Sequence, residues 1–206
     1  MKIIKDKDSY HHGDLRTTLL NVASEMLKEN GIEEVSLRKL GARVGVSRAA
    51  PYHHFKDKNA LLCAIAEGGF KQLHQIYKNG FDNTQISHEE NFRLFIHNYV
   101  QFAKSNPDLY ELMFGRTIWK NESSTQELRD TAYPCFQFKL KMTKQWQEQG
   151  LFNVNNNELR ASQVFWGTVH GIAKLFIDGI YTDNNKIEEI CDFAVNMFLS
   201  RAHTLK

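Results

Sequence analysis

The chain has 206 residues, 42% of them hydrophobic and 24% charged with a net charge of only +2 and three prolines, a balance that suits an ordinary globular protein rather than a disordered or membrane one. Cys63, Cys135 and Cys191 lie far apart in no CxxC or Cys/His spacing, which argues against a disulfide framework or a metal site and suits reduced thiols in a cytoplasmic protein. The charged start MKIIKDKDSYHHGDLR lacks the apolar stretch of a signal peptide, and no run of about 18 apolar residues occurs, so no membrane partner is expected.

In chain order, Leu15, Leu19, Val22, Ala23, Met26 and Leu27 recur at helical spacing and stop at Asn30-Gly31. Ser36 suits the N-cap of a short helix from Leu37 to Val44 closed by Gly45, and Ser47 the cap of a third helix running through Phe55. Asp57 opens a longer helix carrying Leu61, Leu62, Ile65, Phe70, Leu73 and Tyr77, which fades at Asn79-Gly80. Ser87 and Glu90 form a capping box before Phe92, Phe95, Ile96, Tyr99 and Phe102, and Pro107 suits the first turn of the next short helix. Residues 121 to 149 read as mainly helical up to Gly150, with Pro134 either kinking that helix or marking its start. Asn153 to Asn157 reads as a polar loop, and Leu159 to Ile180 and Ile187 to His203 as the last two helices. Strand-like alternation is missing, so the expected class is all-α with about nine helices.

The segment SLRKLGARVGVSRAAPYHHF, residues 36 to 55, has the parts of a helix-turn-helix. Leu37, Leu40 and Val44 face helix one, Gly45 permits the left-handed turn, and Val46 plugs the turn into the core. Ser47, Arg48, Ala49 and Ala50 then form a first turn whose short side chains let a groove come close. Arg48 can reach a guanine edge or a phosphate, Tyr52, His53 and His54 can donate to phosphates, and Lys58 adds charge. Ser36 and Arg38, at the start of the supporting helix, are further candidate phosphate contacts. Residues 1 to 60 carry eleven Lys/Arg against eight Asp/Glu, and the excess is concentrated at Arg38, Lys39, Arg43, Arg48, Lys56 and Lys58, faced only by Asp57. Alone, such a charge run suits a solvated face as well as a polyanion; with the cap, turn glycine and small residues it points to double-stranded DNA.

From Tyr10 to Phe70 these residues closely resemble the DNA-binding domain of the TetR family of bacterial repressors. By residue matching, Ser36, Arg48, Ala49, Tyr52, His53, His54 and Lys58 stand where family members contact operator DNA. Pro51 departs from the commoner choices of the broader family, although the AAPY form is familiar in one subgroup, and the run Trp166-Gly167-Thr168-Val169-His170-Gly171 resembles that subgroup's WHG-type carboxy-terminal domain. The resemblance implies a helix-turn-helix domain over residues 1 to 56, a linking helix near 57 to 80, and a ligand-binding and dimerisation domain over 81 to 206. It implies a homodimer on a palindromic operator, with the last two helices pairing across the two-fold axis. Gly167 and Gly171, spaced i, i+4, make a smooth face suited to that pairing, and Phe198 is a further candidate, although packing within one chain explains the apolar stripes of both helices equally well.

Family likeness also implies an apolar cavity for a small-molecule effector, with a few polar anchors. His97, Tyr99, Tyr110, Trp119, Trp166 and His170 are the candidates, each of which also suits a packed core. No cofactor is expected. No Ser/His/Asp order, HExxH, glycine-rich phosphate loop or spaced carboxylate pair is present, which argues against an enzyme. A sequence-independent architectural DNA binder is the other alternative, distinguished by a small specificity ratio.

Overall fold

The computed structural model describes residues 15–81, 85–120, 123–152, 157–182 and 186–200, and among these every regular element is helical. The helices are α1 (Leu15–Glu34), α2 (Leu37–Val44), α3 (Lys58–Phe81), α4 (His88–Ser105), α5 (Pro107–Phe114), α6 (Arg116–Trp119), α7 (Gln126–Glu148), α8 (Glu158–Ile177) and α9 (Ile187–Ser200), with a 3-10 turn at Ala50–His53 between α2 and α3. Most of the Asn153 to Asn157 loop and the stretch beyond Ser200 lie outside the described residues.

Side-chain caps start most of these helices. Ser36 accepts from the Lys39 amide, Ser87 from Glu90, Thr125 from Leu128 and Asn157 from Arg160, so each satisfies one of the amides a helix start leaves without a partner. Asp57 does the same for α3, its carboxylate accepting from the Ala60 amide at 2.8 Å. The break expected at Asn30-Gly31 is present as a left-handed glycine, Gly31 at φ 73°, beyond which a short turn carries the chain on to Glu34. Pro134 does not begin α7, which opens eight residues earlier. It lies inside that helix on an exposed face, where water can satisfy the carbonyl its missing N–H leaves open.

The third helix of the amino-terminal unit differs from expectation. Instead of an α-helix from Ser47 through Phe55, the chain makes a turn at 48–49 and one 3-10 turn, with Tyr52 N–H donating to Ala49 C=O and His54 to Pro51. Pro51 is the physical reason. It has no N–H for the Ser47 carbonyl, which is taken instead by the Ala50 amide three residues away at 3.1 Å. Pro51 is also buried against α2, where a Cβ on Gly41 would stand 3.2 Å from its ring. The pair Gly41 and Pro51 thus brings the two halves of the motif together, while Val46, expected as the plug, is only half-buried.

Helix α3 is the axis of the molecule: it packs on α1 at one end and on α4, α5, α6 and α7 along the rest. One continuous apolar core runs from Leu19 and Leu40 through Phe70 and Tyr77 to Phe165 and Val195. At its far end Phe92, Phe95, Trp146, Phe152, Phe165 and Phe198 form a cluster of mostly edge-to-face rings with centroids 4.9 to 6.3 Å apart. Phe165, Val169, Ile172 and Ala194 are therefore core residues of their own chain, and Phe198 is turned into the same cluster. The face that α8 and α9 leave to solvent is a different one, with Val164 65%, Phe193 67% and Met197 52% exposed.

Candidate functional site

In the amino-terminal unit, Gly45 at φ 79° closes α2 with amide bonds back to Gly41 and Ala42, and this turn sends the next segment outward. Ser47, Arg48, Ala49, Tyr52 and His53 are all exposed, whereas Pro51 and Phe55 on the opposite side of the same turn are buried. Ala50 and His54 are half-buried at the edges. One face thus presents a cation, a phenol and an imidazole beside two alanines with nothing bulky between them, a surface that can approach a groove. The Ser36 hydroxyl oxygen already accepts from Lys39, which leaves its proton to donate outward; Ser47 is placed likewise over the Ala50 amide at 3.3 Å.

The basic excess sorts into two sets. Arg43 makes a two-pronged bond to Glu29, at 2.5 and 2.7 Å, and Lys39 pairs with Glu34, so both carboxylates are held below their ordinary pKa by those hydrogen bonds first. Lys58 donates to the Glu33 carbonyl at 3.3 Å and so ties the start of α3 to the end of α1. Among the described residues Arg38, Arg48 and Lys56 have no such ion pair and are exposed, so the charge available to a partner is smaller and more local than the count suggests.

In the carboxy-terminal unit four of the six candidate anchors meet. Trp166 Nε1 donates to the Tyr99 hydroxyl at 3.1 Å, the Tyr99 and Tyr110 hydroxyls are 2.6 Å apart, and Tyr110 is 2.6 Å from His170 Nδ1. Indole only donates, so Tyr99 accepts from Trp166; in the His170 tautomer that leaves Nδ1 unprotonated the protons then run one way, from Trp166 to Tyr99 to Tyr110 to His170. Burial holds the imidazole below its ordinary pKa, with Lys139 and Lys174 nearby acting in the same direction, which suits the neutral ring this chain requires. Burial likewise raises both phenols well above theirs.

The other two candidates stand elsewhere. His97 Nε2 lies 2.9 Å from Asp192, which Arg93 also pairs, so this residue clasps α4 to α9. The Asp192 carboxyl is lowered by the His97 bond first and Arg93 next. Trp119 donates to the Met113 carbonyl at 2.7 Å, capping the turn after α5, and with Tyr133, Pro134 and Phe136 lines a largely apolar pocket of about 430 Å³ open to solvent. Gly167 and Gly171 lie on α8 with nothing within 4 Å of where a Cβ would stand, so that part of the helix face is open.

Lys139 was missed in the sequence, where it reads as one more polar position of α7. It is 6% exposed, with Nζ 3.9 Å from the Trp166 ring centre and 4.3 Å from that of Phe136, and burial pushes its amine down to about 7. A spacing signal existed: Ala132, Cys135, Lys139 and Met142 share one buried face.

Residues 19–65 match the model of the bacterial regulatory proteins of the tetR family, and residues 92–198, half of the chain, match a tetracyclin repressor-like C-terminal domain. The chain belongs to the TetR family. As such it is a transcriptional regulator with a DNA-binding helix-turn-helix and not an enzyme. It is similar to the nucleoid occlusion factor SlmA of Vibrio cholerae, 28% identical over 79% of this chain and 83% of that one. It is also similar to the class A tetracycline repressor of Escherichia coli, 40% identical but over only 28% of this chain and 26% of that one. A Rhodococcus protein of unknown function superposes with a TM-score of 0.83 and 29% identity, covering 95% of this chain and 98% of its own. The TetR family regulator PfmR of Thermus thermophilus shares the fold at a TM-score of 0.66 and 20% identity, over 88% of this chain and 97% of its own. Among the described residues no helix of this TetR family member is long and apolar enough to cross a membrane.

Proposed function

We propose that this regulator is a repressor that binds a palindromic operator as a homodimer and is released by a small-molecule effector. The observation that carries the DNA reading is the exposed face of Arg48, Ala49, Tyr52 and His53, backed by the buried Pro51 and Phe55. In this reading Arg48 reads a base edge, Ala49 and Ala50 allow close approach, and Ser36, Arg38, Ser47, Tyr52, His53, His54 and Lys58 hold phosphates. The open face of α8 and α9, with Gly167 and Gly171 between Val164 and Leu175 and beside Phe193 and Met197, supports pairing with a second copy.

Release requires the effector to prefer a dimer geometry that the operator does not. Two paths join the network to the head. Tyr77 near the end of α3 stacks on Tyr99 at 6.4 Å, and α3 packs on α1 of the head; α5 carries Tyr110 and also packs on α1. Residues 1 to 56 then act as the reading head and 81 to 206 as sensor and dimer, with α3 as the lever.

Selection of bound sequences from random duplex DNA at two salt concentrations tests the reading. An enriched palindrome bound with steep salt dependence is the expected result; salt-dependent binding without any enriched motif refutes a sequence-specific regulator. The likeness to SlmA favours a second reading, in which the DNA-bound chain serves nucleoid occlusion and needs no release. Operator affinity that no small molecule alters selects it.

A further inference from the structure

Lys139 is a cation in the wrong solvent. Its ammonium lies between the rings of Trp166 and Phe136, and among the described residues it has neither a carboxylate nor a hydrogen-bond acceptor. Two aromatic faces offset only part of what removing a cation from water costs. The groups nearest in charge are no help. The Cys135 thiol donates to the Phe70 carbonyl and is raised to about 11 by burial, and His170 on α8 is neutral. An unpartnered ammonium is a donor only, and what it lacks is an acceptor carrying negative charge.

A short route leads from solvent to this region. Phe136, 36% exposed, lines the largely apolar pocket of about 430 Å³ with Trp119 and Tyr133, whose rim also carries Arg129 and Asp130, and the Lys139 ammonium lies 4.3 Å from the Phe136 ring centre. The same ring packs on Phe70 and Trp166, so it is the one side chain that stands between the pocket and the ammonium.

We propose that the pocket at Phe136 and the Lys139 ammonium behind it form one binding site for an organic acid with an apolar body, the acid group pairing with Lys139 and the body lying against Trp119, Tyr133 and Phe136. The inference deepens the effector reading and rests on it. An acid there sits against Trp166, the first donor of the Trp166, Tyr99, Tyr110, His170 chain, so its arrival bears on the network that α3 and α5 connect to the head.

The test compares acids with their neutral amides: aryl and medium-chain carboxylates of six to twelve carbons, beginning with 2-naphthoate against 2-naphthamide. Binding is read by tryptophan fluorescence of the full chain, in wild type and Lys139→Met. Methionine fills the same space, and circular dichroism and thermal unfolding verify that the variant is folded. The expected result is an acid that binds wild type at least tenfold more tightly than its amide, with that preference abolished in Lys139→Met. A second readout is the Lys139 ¹³Cε resonance, whose titration midpoint moves upward when the acid is bound. Acids and amides binding alike, acids binding the variant as well as wild type, or no Lys139-dependent binding across the series each overturn the proposal. Acid binding that depends on Lys139 but leaves operator affinity unchanged keeps the site and refutes instead the reading that this core governs DNA release.

Discussion

Arg48 and Tyr52 stand on one exposed turn, yet their chemistry asks different things of DNA. A phenol offers a single donor that suits a phosphate, so Tyr52→Phe should weaken binding to every sequence alike, by about 1 kcal/mol. A guanidinium can grip a guanine edge, so Arg48→Ala should weaken binding further and relax preference at one position of each half-site, at about 1–3 kcal/mol. Affinities for a library of single-base operator variants separate the two, and an equal loss at all positions for Arg48→Ala assigns it to a phosphate. Lys139 gives a prediction of stability. In the unfolded chain a lysine keeps its proton up to about pH 10, but in the folded chain only up to about 7. The unfolded state therefore binds more protons between those limits, and stability rises with pH across that window. Lys139→Met should stabilise most below pH 7, by up to about 4 kcal/mol, with the gain fading towards pH 10. Urea unfolding at pH 6 and pH 10 measures the difference, and equal gains at both would show that the amine is not held neutral by burial.

At the scale of elements, the close approach of α3 to α5 depends on a missing side chain. A Cβ on Gly69 would lie 2.4 Å from Met113 Sδ and 3.1 Å from Leu109, whereas one on its neighbour Gly68 would meet nothing within 4 Å. Gly69→Ala should therefore destabilise by about 1–3 kcal/mol, the cost of overpacking a filled contact. Gly68→Ala, one position along the same helix, should instead stabilise by about 0.5–1 kcal/mol, because alanine loses less backbone freedom on becoming helical. Thermal unfolding of the pair checks this, and a matching shift in both would mean that α5 does not sit against Gly69. The same contact matters for signalling, since α5 carries Tyr110 at one face and touches α1 at another. At the head, the Gly41 and Pro51 contact performs a comparable task by setting α2 against the 3-10 turn.

For the whole molecule, the exposed face of α8 and α9 predicts assembly. Phe193 and Met197 are more than half exposed and remote from the buried faces of their helix, so glutamate at both positions should leave the fold intact. It should turn a dimer into a monomer in sedimentation and weaken operator binding steeply, because one head reads only one half-site. Dimers that persist in the double variant would move the interface elsewhere.

Helix periodicity, caps and the small-residue turn before Tyr52 were legible because each is decided within a few residues of chain. Ser36, Asp57 and Ser87 cap as their local spacing requires, and the resemblance of residues 10 to 70 rests on such local features. What tertiary structure alone decided is which apolar stripe of a helix turns inward and which polar side chains go with it. Phe165 and Phe198 proved to face their own chain's aromatic cluster while Val164 and Phe193 face out, since neighbouring helices claim one face and leave the other. Tyr99, Tyr110, Trp166 and His170 come from three helices and become a single proton chain only when α4, α5 and α8 meet. Lys139 carried only a spacing signal, its place on the face of Ala132, Cys135 and Met142; its burial is decided by the rings folded over it, and with that burial comes whatever chemistry it has.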